Sequence, residues 1–162
     1  MSSTHKKVVV RKMNRDTVPG YVGSSFITDD KLELLNTDGN VVLIDLTDVK
    51  GVYFVREFSD SETLIRKTFT TRPRSEGLWV RLRFRDNEIM EGMMPNDLTQ
   101  PSPAGFLINP PDTRINTQRI FVPRTAIAEL KVLAVIGTRQ RKGKAAAGDE
   151  RQREMFDEEH LA

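Results

Sequence analysis

The middle of this chain occurs twice. Val41–Val55 aligns without a gap on Arg119–Leu133, placing Val49 on Ile127, Val52 on Leu130 and Phe54 on Val132. Upstream, Val8, Val10 and Gly20 correspond to Val80, Leu82 and Gly92. A repeat of this kind constrains architecture before it says anything about chemistry. The chain has 162 residues, enough for one domain or two very small ones. Each unit would be roughly 50–60 residues, a size that folds alone only marginally. Packing the two copies together, or forming a homo-oligomer, buries more apolar surface.

Within each copy the pattern is one of strands and turns. Val8 to Arg11 is a β-branched run, broken by Pro19-Gly20 and resumed at Tyr21-Val22. Asp29-Asp30 reads as a turn before the alternating Leu32-Glu33-Leu34. Asp38-Gly39-Asn40 is a hairpin turn leading to Val41–Ile44. Asp45 to Asp48 is too short for an α-helix and suits one 3₁₀ turn, after which a strand runs from near Gly51 to Val55. The second copy repeats this order with strands at Trp79–Phe84, Ile89–Met94, Phe106–Ile108, Ile120–Val122 and Leu130–Leu133. Its loops carry Pro101, Pro103, Pro110 and Pro111, which stiffen them. The joining segment has room for one more strand, at Leu64-Ile65 or Thr68-Phe69.

Five short strands with a 3₁₀ turn before the last describe a small, strongly bent barrel, which hides most strand edges. The expected fold is all-β: two tandem small barrels related by internal duplication, with a flexible C-terminal tail. The boundaries are residues 7–58 for the first barrel, 59–77 for a connector, 78–136 for the second barrel and 137–162 for a charged tail, disordered or transiently helical.

The run from Trp79 to Gly92 resembles the first two strands of the Sm-like barrel and of its bacterial form Hfq. In that family an apolar strand meets an Asn-Gly-type turn, then a strand whose glycine permits a sharp bend. Phe121 to Ala128 sits where Hfq has Tyr-Lys-His-Ala-Ile-Ser. The duplicated arrangement also resembles an uncharacterised bacterial family of unknown function. The resemblance implies Sm/SH3-like barrels. The Lys-His pair with which Hfq contacts RNA is replaced by Pro123 and Arg124 in one copy and by Asp45 and Leu46 in the other. An acidic side chain at Asp45 disfavours a phosphate contact.

A different surface keeps nucleic acid among the alternatives. Side chains alternate along a strand, so Trp79, Arg81, Arg83 and Arg85 share one face while Val80, Leu82 and Phe84 share the other. Guanidinium groups about 7 Å apart beside an aromatic ring match the charge and stacking needs of a single strand. Arg66, Lys67, Arg72 and Arg74 lie just upstream. The same pattern also describes a solvated strand face whose arginine stems cover apolar neighbours, or a protein contact. In the tail, Gln152, Met155 and Phe156 resemble the Gln-x-x-Leu/Met-Phe peptide that docks on the replication sliding clamp, where apolar side chains fill a pocket and the glutamine bonds its rim.

Composition closes off several classes. There is no cysteine, hence no disulfide and no thiolate metal site, as in a reducing cytoplasm. The only histidines, His5 and His160, lie near the ends, so neither a Ser-His-Asp arrangement nor a zinc site can be assembled in the repeats. No Gly-rich stretch leads from a strand into a helix to hold phosphates, and no apolar run approaches a membrane span. Net charge is +2, too mild to argue for nucleic acid by itself. The expectation is a non-catalytic cytoplasmic binding or adaptor protein, without cofactor or metal, acting on a protein partner through its barrel surfaces and tail. The alternatives are RNA or single-stranded nucleic-acid binding through Trp79, Arg81, Arg83 and Arg85, and, third, a small-ligand receptor or an enzyme.

Overall fold

The structure, a computed structural model, describes residues 5–58, 67–97, 99, 102–112 and 116–137. All regular structure among them is strand or single 3₁₀ turn, so the all-β expectation holds. The first half holds β1 (Lys6–Lys12), β2 (Thr17–Val22), a two-residue β3 (Ile27–Thr28), β4 (Lys31–Asn36), β5 (Val41–Asp45), a 3₁₀ turn (Leu46–Asp48) and β6 (Val49–Val55). The second holds β7 (Gly77–Phe84), β8 (Ile89–Met94), β9 (Gly105–Ile108), β10 (Thr117–Pro123), a 3₁₀ turn (Arg124–Ala126) and β11 (Ile127–Ile136).

The duplication extends to individual backbone pairs. In one half Val8 faces Gly20 and Phe54, and in the other Val80 faces Gly92 and Val132. Val10 lies opposite Val52 as Leu82 lies opposite Leu130. Leu34 pairs with Val42 as Ile108 pairs with Ile120. The contact between β2 and β4 at Tyr21–Leu35 has its counterpart in the bridge Met93–Asn109 between β8 and β9. Each half therefore follows one strand path: β6-β1-β2-β4-β5 in the first, β11-β7-β8-β9-β10 in the second.

The hairpin turns match as well. Arg15 and Asn87 both take a positive φ, 75° and 69°. The N–H of Lys12 donates to the Asp16 carbonyl at 2.8 Å, and that of Phe84 to the Glu88 carbonyl at 2.9 Å. Asn tolerates this left-handed conformation better than most residues, whereas Arg15 is held there by the tight loop.

Strand alternation builds the two cores. Val8, Val10, Leu32, Leu34, Val49 and Val52 are fully buried in the first, and Val80, Leu82, Phe84, Ile108 and Ile120 in the second. β6 serves both: Val52 and Phe54 enter the first core while Tyr53 and Val55 enter the second. It can do so because its outer edge pairs with β10, placing Phe54 against Arg119, Tyr53 against Ile120 and Val52 against Phe121. Phe121 crosses into the first core, where the Phe26 ring meets both Phe54 and Phe121 edge-on, at 5.9 and 5.5 Å. The β6–β10 seam merges the first half and part of the second into an eight-stranded sheet, leaving β11-β7-β8 as a three-stranded one.

Three local expectations need correction. β2 runs straight through Pro19-Gly20 instead of breaking there. β4 meets β2 only at Gly20 and Tyr21, so among the described strands Pro19 lies where β2 has one neighbour and its missing N–H costs no ladder bond. Thr68-Phe69 forms no strand. The connector there lies against β8, where the N–H of Glu91 donates to the Lys67 carbonyl at 2.6 Å. β3 was not anticipated, being only two residues long. Leu64-Ile65, Arg66 and the tail lie outside the described residues. No helix among the described residues is long and apolar enough to cross a membrane.

Candidate functional site

Two features of the seam and its surroundings have chemical content. The first is Lys50, the residue at the bulge where β6 slips against β1. Its side chain is buried, reaching from the first half to the turn between β7 and β8 in the second. There its Nζ contacts Asp86 Oδ2 at 2.6 Å and Glu88 Oε2, and lies 4.9 Å from the Phe84 ring centre. Lys67 of the connector holds the other Glu88 oxygen at 2.7 Å. Burial works to lower the Lys50 pKa, but the hydrogen bonds and charges of Asp86 and Glu88 outweigh it, and the ammonium titrates above its ordinary value. Burial likewise opposes ionisation of Asp86 and Glu88. Lys50, helped at Glu88 by Lys67, more than offsets it and holds both below the usual carboxylate range.

This ion cluster forms one wall of a cleft of about 500 Å³, lined also by Arg11, Lys12, Arg15 and Asn87. Five cations face two carboxylates there, and both carboxylates are already engaged by lysines. Arg11 lies 5.3 Å from the Tyr53 ring centre, which fixes its stem. The remaining positive charge suits an anion. Among the described residues no group of three or more His, Cys, Asp or Glu side chains could hold a metal ion.

On β7 Arg81 and Arg83 are exposed and Val80, Leu82 and Phe84 are inside, as strand alternation requires, whereas Arg85, expected on the same face, is exposed in the turn beyond the strand's end at Phe84. The neighbours of that face were invisible in one dimension. Arg81 Nη2 lies 3.5 Å from Oε2 of Glu91, a buried carboxylate on β8. Arg83 meets Glu129 of β11 at 3.6 Å and the Asn87 amide oxygen at 3.4 Å. Lys131 and Arg83 keep Glu129 below the usual carboxylate range. Trp79 is half-buried, with Phe69 packed edge-on at 5.8 Å. Its indole N–H is buried and meets no acceptor among the described residues. The structure thus puts Arg81 and Arg83 on one strand but draws both into ion pairs, leaves Arg85 in the turn, and covers one side of the aromatic. Gln152, Met155 and Phe156 lie outside the described residues.

The second feature, which sequence reasoning missed, is a pair of open strand edges. Among the described residues β5 is paired only with β4, and β11 only with β7. Both edges carry apolar side chains in water: Val41 and Leu43 are 62% and 61% exposed on β5, and Val132 and Val135 are 52% and 58% exposed on β11. Two of their internal counterparts are buried, whereas Arg119, which corresponds to Val41, and Glu57, which corresponds to Val135, are exposed. Phe121, which corresponds to Leu43, is 4% exposed, and Phe54, which corresponds to Val132, is 7% exposed. The difference is the seam, which covers β6 and β10 and has no equivalent for β11 and β5. A sequence clue existed: the aligned positions keep an apolar character at Leu43 and Val132 that a solvent edge does not require.

A family model covers residues 4–134, spanning both halves. The chain belongs to DUF6982, a family of unknown function. No curated protein and no solved structure matches it.

Proposed function

We propose that this DUF6982 protein is a non-catalytic binding protein that engages protein partners by strand addition at the open edges of β5 and β11. One observation carries the reading. Each edge combines backbone groups that pair with no further strand among the described residues and apolar side chains more than half exposed, the chemistry that an added strand satisfies through main-chain bonds and side-chain burial. The tail residues Gln152, Met155 and Phe156 are proposed as a further docking peptide, with a clamp-like groove as one candidate receptor. The strand path of each half, with a glycine at the bend of its second strand and a 3₁₀ turn before its last, supports reading the halves as Sm-like barrels. The cysteine-free composition supports a cytoplasmic setting.

A second reading, binding of single-stranded RNA, draws on the cleft. Arg11, Lys12 and Arg15 project beside a wall whose own charges are internally paired, and Arg83 reaches Asn87 at its rim. Capture experiments with the full-length protein separate the two. Strand addition predicts that retained material is protein, is indifferent to nuclease and is lost with Leu43→Lys or Val132→Lys. Retention of RNA that weakens steeply with salt and disappears in the Arg11→Ala/Arg15→Ala variant would overturn this ranking in favour of the second reading.

A further inference from the structure

The molecule contains one complete copy of an interface and the two unmatched halves of another. Inside the chain, the last strand of the first half (β6) pairs with the fourth main strand of the second half (β10). By the duplication, the last strand of the second half is β11 and the corresponding strand of the first is β5. Neither has a partner on its outer edge among the described residues. We infer that copies of this chain assemble head-to-tail, β11 of one copy adding to β5 of the next and repeating between chains the seam that β6 and β10 make within one. This rests on reading the two edges as protein-binding surfaces, and it names the partner as a second copy.

The internal seam specifies the register. Phe54–Arg119, Tyr53–Ile120 and Val52–Phe121 translate into Val132 opposite Val41, Lys131 opposite Val42 and Leu130 opposite Leu43. The exposed Leu43 and Val132 of the free chain are the side chains this register would cover, as the seam buries their counterparts Phe121 and Phe54. The edges cannot serve each other within one chain, because β6 and β10 already join the two halves in a fixed arrangement. The contact is heterologous, so it closes into a ring if the rotation from one chain to the next divides a full turn and otherwise propagates as a filament.

One component of the internal seam is missing from the external one. Ala128 stands where Lys50 does, and Asn14 and Asp16 stand where Asp86 and Glu88 do. The contact between chains therefore lacks the ionic clamp, which makes it the weaker and reversible copy of the two. Its strength should accordingly not follow the titration of a buried lysine.

The test uses the full-length chain and measures mass in solution by sedimentation or light scattering across a concentration series. The parent should rise from one chain to larger species as concentration increases. Leu43→Lys removes every β5 edge and Val132→Lys every β11 edge, so each variant alone should stay at the mass of one chain. Mixed in equal amounts, they should form a two-chain species and nothing larger, because each supplies the edge the other has lost. The double variant Val41→Glu/Val132→Lys, which sets opposite charges face to face in the inferred register, should recover assembly that Val41→Lys/Val132→Lys lacks. A two-chain species formed by either single variant alone would overturn head-to-tail pairing in favour of a symmetric dimer. A parent that stays at one chain throughout, yet loses captured proteins on Leu43→Lys, overturns self-assembly and leaves the edge reading standing. Captured proteins unaffected by either substitution overturn the edge reading itself.

Discussion

Lys50 shows how one side chain decides a junction. A buried ammonium is costly unless its hydrogen-bonding capacity is met, and here two carboxylates from the opposite half meet it. Because the Lys50 pKa is raised above 10.5, its contribution to stability is fully present below that value and is lost as pH rises through the folded-state value. Asp86 and Glu88 are depressed below 3.8 and 4.5, so theirs is present above those values and is lost as pH falls through the lowered ones. The junction is therefore strongest between the two ranges. Lys50→Met should cost about 1–3 kcal/mol at neutral pH, since it leaves two carboxylates facing each other without their shared cation. Denaturant melts of parent and variant across pH provide the check. The alkaline decline should shrink in the variant, and the acid decline should shrink partly, because Lys67 still holds Glu88. A variant with the parent's stability and both flanks intact would show that the clamp contributes nothing.

At the scale of elements, the second strand of each half has to pass close to its neighbour, and a glycine stands at each crossing. A Cβ on Gly20 would lie 2.5 Å from the Leu35 carbonyl oxygen and 2.8 Å from Leu34 Cδ1. A Cβ on Gly92 would run into Ile108 and lie 2.8 Å from the Asn109 carbonyl oxygen. Gly20→Ala and Gly92→Ala should each destabilise by about 1–3 kcal/mol, since backbone on the facing strand cannot move aside cheaply. Gly23→Ala, with nothing within 4 Å, should stay within about 0.5 kcal/mol of the parent. Urea midpoints measure all three, and a neutral result at either Gly20 or Gly92 would break the equivalence of the halves. Strands and turns were readable from the sequence because they depend on neighbours in the chain: Asp29, Asp30, Gly39 and Asn87 all take the positive φ that turn residues accommodate, whereas Gly20 read as a break and not as a close crossing within β2. Lys50 was not readable, because its partners lie 36 and 38 residues away and a lysine in a strand ordinarily points to water. Arg81 and Arg83 were legible as a row, but Glu91, Glu129 and Phe69, which pair with them or cover the aromatic beside them, come from other segments. Pairing of β6 with β10 was hidden for the same reason, since no local pattern says which edge takes which.

As a whole molecule the protein is two copies of one strand path, joined through a seam that completes one edge of each. The first core depends on Phe121 from the second half, and the second on Tyr53 and Val55 from the first, so neither half is complete alone. What remains among the described residues is an open edge at each end of the path, β5 and β11, which correspond to the β10 and β6 that pair within the chain. Amide hydrogen exchange on the intact protein, read at dilute and at high concentration, tests this most directly. Duplication with a head-to-tail contact predicts that β6 and β10 amides are protected at every concentration, whereas the outward amides of β11 from Leu130 to Val132 and of β5 from Val41 to Leu43 exchange quickly when dilute and gain protection together as concentration rises. Fast exchange along β6 in dilute solution, or protection that grows on one open edge and not on the other, would contradict it.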